Sequence, residues 1–264
     1  MKKILVTGGS SGIGKAICEL LAQSGNHVIG TSRNPEKSTP QGFEIVKMDV
    51  TDPMSIGLAL EHISAEWNQL DVLINNAGIG FMGPLESAKA EHIKTAWETN
   101  VFGLMQVTQA FLPLLKKAEG RIINIGSIGG KMGLPFRGWY SAAKGSLEVL
   151  GESLAIELMP YKVEVCTLLP GDVSSNIADS RIEPSPEELG AYTENYKRMS
   201  EVLKHDMSSA MPPSEVAKAV EKLLRRKKLP LKHSVGSLLH KFIPILKNII
   251  PQKWFQRLMM KHYK

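Results

Sequence analysis

The chain has 264 residues, of which 43% are hydrophobic and 22% are charged, and this composition suits one large globular α/β domain. Its two cysteines, Cys18 and Cys166, are too few for a disulfide framework or a cysteine-based metal site, and we predict no bound metal. A strand-like run starts at Lys3, and no apolar run approaches membrane-spanning length. We therefore expect no signal peptide, no transmembrane helix and a cytoplasmic protein.

The formal net charge of +6 conceals two regions of opposite sign. Residues 1–221 contain 20 Lys and Arg against 26 Asp and Glu, a net charge of −6. Residues 222–264 contain 12 Lys and Arg and no acidic residue, a net charge of +12. Such a distribution bears on the choice of partner rather than on the fold.

Strand-like apolar runs alternate with helical patterns, which is typical of a parallel sheet with helices on both faces. The predicted strands are Lys3–Val6, His27–Thr31, Glu44–Met48, Val72–Asn75, Arg121–Ile125, Val163–Leu169 and Lys232–Val235. The predicted helices are Gly12–Ser24, Pro53–Trp67, Glu91–Lys117, Trp139–Met159 and Ser214–Arg226. The strands are nearly continuous in Ile, Val and Leu, as expected for strands that are buried on both sides.

The helix–strand alternation stops after Pro170-Gly171. Residues 172–212 form a polar stretch without strand character, and a segment of this length in a compact domain is typical of a functional lid. No internal repeat or linker is present in the sequence. We predict one catalytic domain over residues 1–236, with a substrate-binding lid at 172–212 and a basic amphipathic extension at 237–264.

A glycine-rich turn lies between the first predicted strand and the first predicted helix, reading Thr7-Gly8-Gly9-Ser10-Ser11-Gly12-Ile13-Gly14. Glycines there let backbone N–H groups approach a pyrophosphate, whose charge is favoured at a helix N-terminus. Many sharp turns use glycine, but here strand, turn and helix follow in the order that the mechanism requires. The turn therefore predicts a dinucleotide site formed by Gly8, Ser10, Ser11, Gly12, Ile13 and Gly14.

The residues after the second strand indicate which dinucleotide binds. An acidic residue there would hold the ribose 2′-OH of NAD, whereas a cation would accept the 2′-phosphate of NADP. This chain has Ser32 followed by Arg33, so we predict NADP(H), although a solvated loop arginine is the ordinary alternative. Asp49 and Val50, which end the third strand, are predicted to border the adenine, and a simple turn is the alternative for Asp49.

Tyr140 and Lys144 are four residues apart on a predicted helix, so they share one face. A free phenol has a pKa near ~10, and a neighbouring ammonium lowers that pKa and makes the tyrosine a usable acid and base. Ser127 ends the preceding strand, where its hydroxyl could bind a substrate oxygen as negative charge develops. Each feature alone is weak, but together they predict a catalytic site for carbonyl–alcohol chemistry.

Further motifs follow in the same order, namely Asn75-Asn76-Ala77-Gly78, Asn100 and Pro170-Gly171. With the glycine turn, Ser127 and Tyr140-x3-Lys144, they make the chain resemble the short-chain dehydrogenase/reductase family over nearly its whole body. The resemblance implies a doubly wound Rossmann fold with a seven-stranded parallel sheet of order 3-2-1-4-5-6-7. It also implies a bound nicotinamide dinucleotide.

The same resemblance assigns roles to individual residues. Tyr140 is similar to the family's catalytic acid and base, Lys144 to the partner that also binds the nicotinamide ribose, and Ser127 to the residue that orients the carbonyl. Asn100 resembles the residue that holds a proton-relay water. The remaining implied cofactor contacts are Asn76, Ala77, Gly78, Pro170, Gly171, Val173 and Ser175, the last standing where the family usually has threonine.

The predicted substrate pocket is mostly apolar, which suits a hydrophobic ketone or aldehyde. Its candidate lining residues are Phe81, Met82, Met132, Leu134, Pro135, Phe136 and Trp139. Core packing is an alternative for several of them, and for Trp139 in particular. No charged pair stands out in the sequence as an anchor for an acidic substrate.

The extension at 237–264 departs from the family pattern. Apolar residues recur there every three or four positions with lysines between them, so we predict two short amphipathic helices separated by prolines. Three interpretations compete: packing on its own body or a sister subunit, contact with an anionic membrane surface, and closure over the substrate mouth. Nucleic-acid binding is disfavoured because the lysines alternate with residues of buried type.

The leading functional hypothesis is an NADP(H)-dependent oxidoreductase for a hydrophobic carbonyl compound, with Tyr140 as proton donor and acceptor. The alternatives are a 3-oxoacyl-carrier-protein reductase, against which the acidic body and the C-terminus argue, and a non-catalytic dinucleotide sensor. Retention of the four residues Asn100, Ser127, Tyr140 and Lys144 favours an enzyme. The resemblance also implies a homodimer or homotetramer through the helices at Glu91–Lys117 and Trp139–Met159.

Overall fold

A computed structural model describes residues 1–38, 42–174, 181–208, 210–237, 242, 246–247 and 249–262. Its centre is a seven-stranded sheet in which neighbouring strands run parallel and whose order is β3-β2-β1-β4-β5-β6-β7. The strands are β1 Lys3–Val6, β2 His27–Ser32, β3 Glu44–Lys47, β4 Val72–Asn75, β5 Arg121–Ile125, β6 Glu164–Pro170 and β7 Lys232–Val235. The predicted doubly wound fold and strand order are confirmed.

Helices cover both faces of the sheet. They are α1 Gly12–Gln23, α2 Pro53–Glu66, α3 Ala90–Trp97, α4 Leu104–Lys117, α5 Gly138–Glu157, α6 Pro186–Leu189, α7 Thr193–Ser208, α8 Pro213–Leu224 and α9 Gln252–His262. Successive strand residues point to opposite faces, so Leu5 joins one core cluster with residues of α2 and α4, while Ile4 and Val6 join another with residues of α1 and α8. Among the described residues, none of these helices is long and apolar enough to cross a membrane.

The predicted helix over Glu91–Lys117 is interrupted. A π-helical segment, Glu98–Gly103, separates α3 from α4. The backbone also passes close to a neighbouring loop there, since a Cβ on Gly103 would lie 2.7 Å from the carbonyl oxygen of Val50. An extra residue in a helical turn leaves the apolar periodicity on either side intact, so the sequence pattern did not show the break.

The segment over residues 172–212 has more regular structure than the sequence predicted. It contains α6 and the four-turn helix α7, whose buried residues Tyr196, Met199 and Leu203 pack with Met82. The residues of α7 have a strongly polar composition, and for this reason the sequence did not predict the helix. Its three buried residues form one narrow apolar face, which is enough to pack α7 on the body.

One short pairing and one carboxylate anchor this segment to the body, and a second short pairing joins its two ends. Phe81 pairs with Ile182, and Val173 pairs with Met211, in isolated bridges. The Glu188 carboxylate accepts a hydrogen bond from the Lys89 backbone N–H, at 3.0 Å. Both ends of the segment are therefore held beside the loops that follow β4 and β6.

The C-terminal helix α9 packs on the body. Phe255 is buried against Ile128, Met132, Leu134 and Leu169, which belong to the loop after β5 and to the end of β6. The predicted helix before Pro251 falls largely outside the described residues. Of the three interpretations of the extension, packing on its own body therefore holds for the inner face of α9.

Candidate active site

A cleft of ≈ 510 Å³ opens at the carboxyl ends of the strands, which is where doubly wound sheets bind ligands. It brings together most of the predicted site residues, namely Gly8, Ser10, Ser11, Gly12, Ile13, Ser32, Arg33, Asp49, Val50, Asn76, Ala77, Gly78, Ser127, Tyr140, Lys144, Pro170, Gly171 and Val173. Gly14 and Asn100 lie behind this lining. Ser175 lies outside the described residues.

The glycine turn at one end of the cleft is held by close backbone contacts. Gly8 has a φ of +67°, a left-handed conformation that favours glycine. A Cβ on Gly14 would lie 2.1 Å from the Gly8 carbonyl oxygen, so only glycine lets α1 start this close to the turn. The Asn76 side chain donates to the carbonyl oxygens of Thr7 and Gly8, at 2.9 and 3.2 Å. Gly14 and Asn76 thus shape the turn.

The turn has the properties of a site for a pyrophosphate. The first turn of α1 contains no acidic residue, and the Ser11 side chain makes no capping hydrogen bond to the helix. Gly12 and Ile13 line the cleft, so the start of this helix borders it with neither an acidic side chain nor a serine cap on its N–H groups. A helix N-terminus of this kind favours a phosphate group. The residues present fit the dinucleotide that the sequence predicted.

The far end of the cleft carries positive charge, and Asp49 is the acidic residue among the described residues that line it. Arg33 is exposed and lines this end together with Lys37, which the sequence analysis missed. Lys37 ends a 3-10 turn that begins at Pro35, and this turn carries the lysine back to the cleft. The Asp49 carboxylate accepts hydrogen bonds from the backbone N–H and hydroxyl of Thr51, at 2.9 and 2.8 Å, which is the turn role that the sequence offered as the alternative for this residue.

The opposite end contains the serine, tyrosine and lysine that the sequence predicted. Ser127 hydrogen-bonds Tyr140, and its Oγ also accepts from the Gly129 backbone N–H, at 3.0 Å. Lys144 Nζ donates to the Ile125 carbonyl oxygen, at 2.9 Å. These three side chains come from the loop after β5 and from α5, and the structure places them on one side of the cleft.

Burial dominates the proton affinities at this end. Burial raises the pKa of Tyr140 above its ordinary value, although the Arg137 charge and the Ser127 hydrogen bond oppose the rise. Burial lowers the pKa of Lys144 to about 8. From the sequence alone, the charge of Lys144 was expected to lower the pKa of Tyr140. Instead the desolvation of the phenol outweighs the nearby charges, and the largest opposing charge is that of Arg137.

Asn100 lies behind the reactive end, on the π-helical segment. Its side chain is fully buried, accepts a hydrogen bond from the Ile79 N–H at 3.0 Å and donates to the Ile79 carbonyl oxygen at 2.9 Å. A Cβ on Gly78 would lie 2.7 Å from Asn100 Oδ1 and 3.4 Å from Lys144 Nζ. Asn100 therefore fixes the loop after β4 directly beside the lysine.

The substrate side differs from the predicted apolar pocket. Phe81 and Met82 line the cleft as predicted. The other candidate residues do not line it, and they are Met132, Leu134, Pro135, Phe136 and Trp139. Met132 and Leu134 pack under α9, while Phe136 makes edge contacts with Tyr192 and Tyr196.

Comparison with known proteins adds to this geometry. A family model described as short chain dehydrogenase matches residues 2–185. The chain is 36% identical to a 3-ketodihydrosphingosine reductase of Bacteroides thetaiotaomicron, over 96% of this chain and 94% of that protein. It is 33% identical to an NADPH-dependent 3-dehydrocapnine reductase of Ornithobacterium rhinotracheale, over 86% of each chain. A crystal structure of a short-chain dehydrogenase from Streptomyces avermitilis is similar with a TM-score of 0.79 and 29% identity, covering 97% of this chain and 96% of that one.

Proposed function

Because the chain belongs to the short-chain dehydrogenase/reductase family, whose members are oxidoreductases acting on CH–OH groups, we propose that it interconverts a hydrophobic ketone or aldehyde and its alcohol with NADP(H). One observation carries the proposal. A single cleft joins a backbone cradle for phosphates to the Ser127–Tyr140–Lys144 cluster. This arrangement suits a dinucleotide that lies along the cleft with its reactive end at Tyr140.

The cofactor contacts follow from the lining of the cleft. The turn from Gly8 to Ile13 would hold the pyrophosphate, and Asp49, Val50 and Ala77 would border the adenosine. Pro170, Gly171 and Val173 would border the nicotinamide. When bound, NADPH would supply the hydride that reduces the carbonyl carbon. The protein supplies the proton and the position of the substrate.

Tyr140 is the proposed proton donor in reduction and the acceptor in oxidation. Burial keeps its phenol protonated, which is the form required for reduction. Ser127 hydrogen-bonds Tyr140 and would orient the substrate oxygen beside it. Lys144, held by the Ile125 carbonyl, would bind the nicotinamide ribose and stabilise a phenolate as it forms. Asn100 is proposed as a positioning residue, because both of its polar groups bind the Ile79 backbone.

The preference for NADP(H) is proposed from the charges at the far end of the cleft. Arg33 and Lys37 line it, and the neighbouring Ser32 cannot compete for a ribose hydroxyl as a carboxylate would. One similar protein is named as NADPH-dependent.

The variant Arg33→Ala tests this preference. It should raise the KM for NADPH by about tenfold or more and leave the KM for NADH within about twofold. An equal change for both cofactors, or a wild-type preference for NADH, would contradict this assignment. The exposed Arg198→Ala is the matched control.

The substrate class is proposed from the lining and from the relatives. Phe81, Met82 and Met207 give the cleft an apolar wall near Tyr140. One similar protein is named as a ketodihydrosphingosine reductase. Both observations favour reduction of an amphipathic or lipid-like carbonyl compound over a small hydrophilic one.

A panel of carbonyl compounds tests the proposed activity. We expect NADPH consumption with long-chain ketones, ketosteroids, retinoid aldehydes or acyl ketones at a rate well above the rate without substrate. Inclusion of 3-oxoacyl-carrier protein tests the alternative reductase, which would show activity with that substrate alone. NADPH binding without turnover of any compound would favour the non-catalytic sensor instead.

A homo-oligomer is proposed from the outer face of α5. Val149, Ile156 and Met159 are exposed apolar residues on or just after this helix, and each is at least 64% accessible. Burial in a symmetric contact would remove this surface from water. The resemblance to the family favours a dimer or tetramer through this region.

Contact with an anionic membrane is proposed for the outer face of α9. With Phe255 turned inward, Trp254 and Leu258 remain exposed, and Lys253, Arg257 and Lys261 lie on the same outward side. A helix that exposes aromatic and aliphatic side chains beside cationic ones is suited to the headgroup region of a bilayer. A cytoplasmic location stays a prediction.

A further inference from the structure

Arg137 lies in the substrate half of the cleft, where no acidic residue in the described part of the chain forms an ion pair with it. It precedes α5, three residues before Tyr140, and it lines the same cavity. Its Nε is buried and has no hydrogen-bond partner. Within the described part of the chain, its guanidinium also makes no ion pair or side-chain hydrogen bond. A half-buried guanidinium is usually paired, because desolvation of an unpaired charge is costly.

A second arginine faces the same space. Arg181 lines the cleft and packs over Gly80, and its Nη1 lies 3.0 Å from Met82 Sδ and 3.5 Å from a Glu183 carboxylate oxygen. Glu183 also accepts a hydrogen bond from the Tyr196 hydroxyl, so its negative charge is shared. Arg181 is therefore only partly neutralised by the protein.

The charges that line this half of the cleft do not balance. Arg137, Arg181 and Lys144 contribute three cationic groups, against two described acidic groups, Asp172 in the lining and Glu183, which pairs with Arg181. The dinucleotide phosphates belong to the opposite end, at the start of α1. The excess positive charge beside Tyr140 therefore faces the substrate rather than the pyrophosphate. Both arginine charges are close enough to act on the Tyr140 phenol.

We propose that the substrate carries an anionic oxygen group near its carbonyl, a carboxylate, sulfonate or phosphate, and that Arg137 binds this group with Arg181 beside it. The planar guanidinium fork matches such groups in two parallel hydrogen bonds. The apolar remainder of the substrate lies along Phe81, Met82 and Met207. This inference rests on the proposed carbonyl reduction. It adds an anionic group to a substrate that the sequence predicted only as hydrophobic.

Matched acids and esters test the inference. The probes are 2-, 3- and 4-oxododecanoate and their methyl esters, which differ in charge but not in chain length. With NADPH, the wild-type kcat/KM for at least one acid should exceed that for its ester by about tenfold or more. The variant Arg137→Gln should remove this preference by raising the KM for the acid, and should leave the KM for the ester within about twofold. Arg137→Lys should restore part of the preference, because it keeps the charge but loses the fork.

Binding to the NADP⁺ complex gives a readout that does not need turnover. The oxidised cofactor cannot reduce a ketone, so dissociation constants of acids and esters are measured directly, with the exposed Arg198→Gln on α7 as control. Tighter binding of an acid that Arg137→Gln abolishes supports the inference even if no compound in the panel is turned over. Equal binding of acids and esters, or an equal loss of both in Arg137→Gln, overturns it and leaves Arg137 as a positioning residue for Tyr140. Loss of turnover with this binding pattern intact would count against the proposed function alone.

Discussion

Lys144 shows how one residue can be unfavourable for folding and required for chemistry. The residue is 4% exposed, and among the described residues its ammonium has one hydrogen-bond partner, the Ile125 carbonyl. Burial without a carboxylate partner lowers its pKa to about 8, because desolvation penalises the ammonium. The proposed site therefore holds a charge that the folded protein stabilises less well than water does.

The pH dependence of stability follows with a definite sign. At pH 7 both folded and unfolded Lys144 are protonated, and the folded protein carries the full desolvation cost. Above about pH 8 the folded lysine loses its proton while the unfolded one keeps it, so the stability contributed by this residue rises up to about pH 10. We expect the cofactor-free Lys144→Met variant to be more stable than wild type by about 2 kcal/mol at pH 7, with loss of turnover.

Urea unfolding of both proteins between pH 7 and pH 10 checks this prediction. The difference in the free energy of unfolding should shrink as the pH rises, because only the wild-type lysine is released from its cost. Two parallel curves would show that Lys144 is not desolvated in the folded protein.

The residues of the site were predictable to different degrees. Tyr140, Lys144 and Ser127 were predicted because helix spacing and the end of a strand fix their positions locally. Arg137 and Lys37 were not, since each reaches the cleft through a loop or a short turn whose path depends on tertiary packing. The position of a side chain on a loop cannot be predicted from the spacing of residues along the sequence.

At the scale of elements, the junction of β1 and α1 sets the geometry of the cofactor end. The helix starts so close to the turn that the Gly14 position has no room for a side chain. Gly57 on α2 provides a contrast, because no atom lies within 4 Å of where its Cβ would be. The same substitution should therefore have opposite effects at the two positions.

Gly14→Ala should weaken NADPH binding by at least about tenfold and destabilise the protein by about 1–3 kcal/mol, since the turn must move away from the helix. Gly57→Ala should stabilise the protein by about 0.5–1 kcal/mol, because alanine is the better helix former, and it should leave binding unchanged. Cofactor titration and thermal unfolding measure both effects. Unchanged NADPH affinity in Gly14→Ala would rule out the proposed role of this junction.

Element types followed from periodicity, but two features did not. The π-helical segment Glu98–Gly103 was missed because apolar spacing continues through it. Helix α7 was missed because its polar residues outnumber the few that pack on the body. Both features lie next to the cleft, where the local sequence pattern and the structure required for the site differ.

At the scale of the whole molecule, the acidic residues 1–221 and the basic residues 222–264 of the sequence correspond to different parts of the structure. The basic segment over residues 222–264 includes α9, whose inner face packs on the loop that carries Ser127 through Met132. Its outer face presents Trp254 and Leu258 beside cations. The acidic body would be repelled by an anionic membrane, so contact would orient the protein with α9 towards the lipid.

Vesicle flotation tests this surface. Full-length protein should float with vesicles that contain phosphatidylserine and only weakly with phosphatidylcholine alone, and salt should reduce the binding. The double variant Trp254→Ser and Leu258→Ser should reduce binding by about tenfold or more, because two apolar side chains no longer insert. The control Met54→Ser and Leu58→Ser changes exposed apolar residues on α2 and should have no effect. Equal flotation of all three proteins would exclude α9 as a membrane contact.

The central claim is that Tyr140 transfers the proton in a reaction between NADP(H) and a carbonyl compound. The direct test is the turnover of Tyr140→Phe with any substrate found for the wild type, together with its dissociation constant for NADPH. We predict that kcat falls by about 10²–10⁴ while NADPH affinity stays within about threefold, because the ring remains and only the hydroxyl is lost. Tyr161→Phe, a surface tyrosine beneath Lys116, should behave as wild type. Turnover of Tyr140→Phe at the wild-type rate would contradict the account.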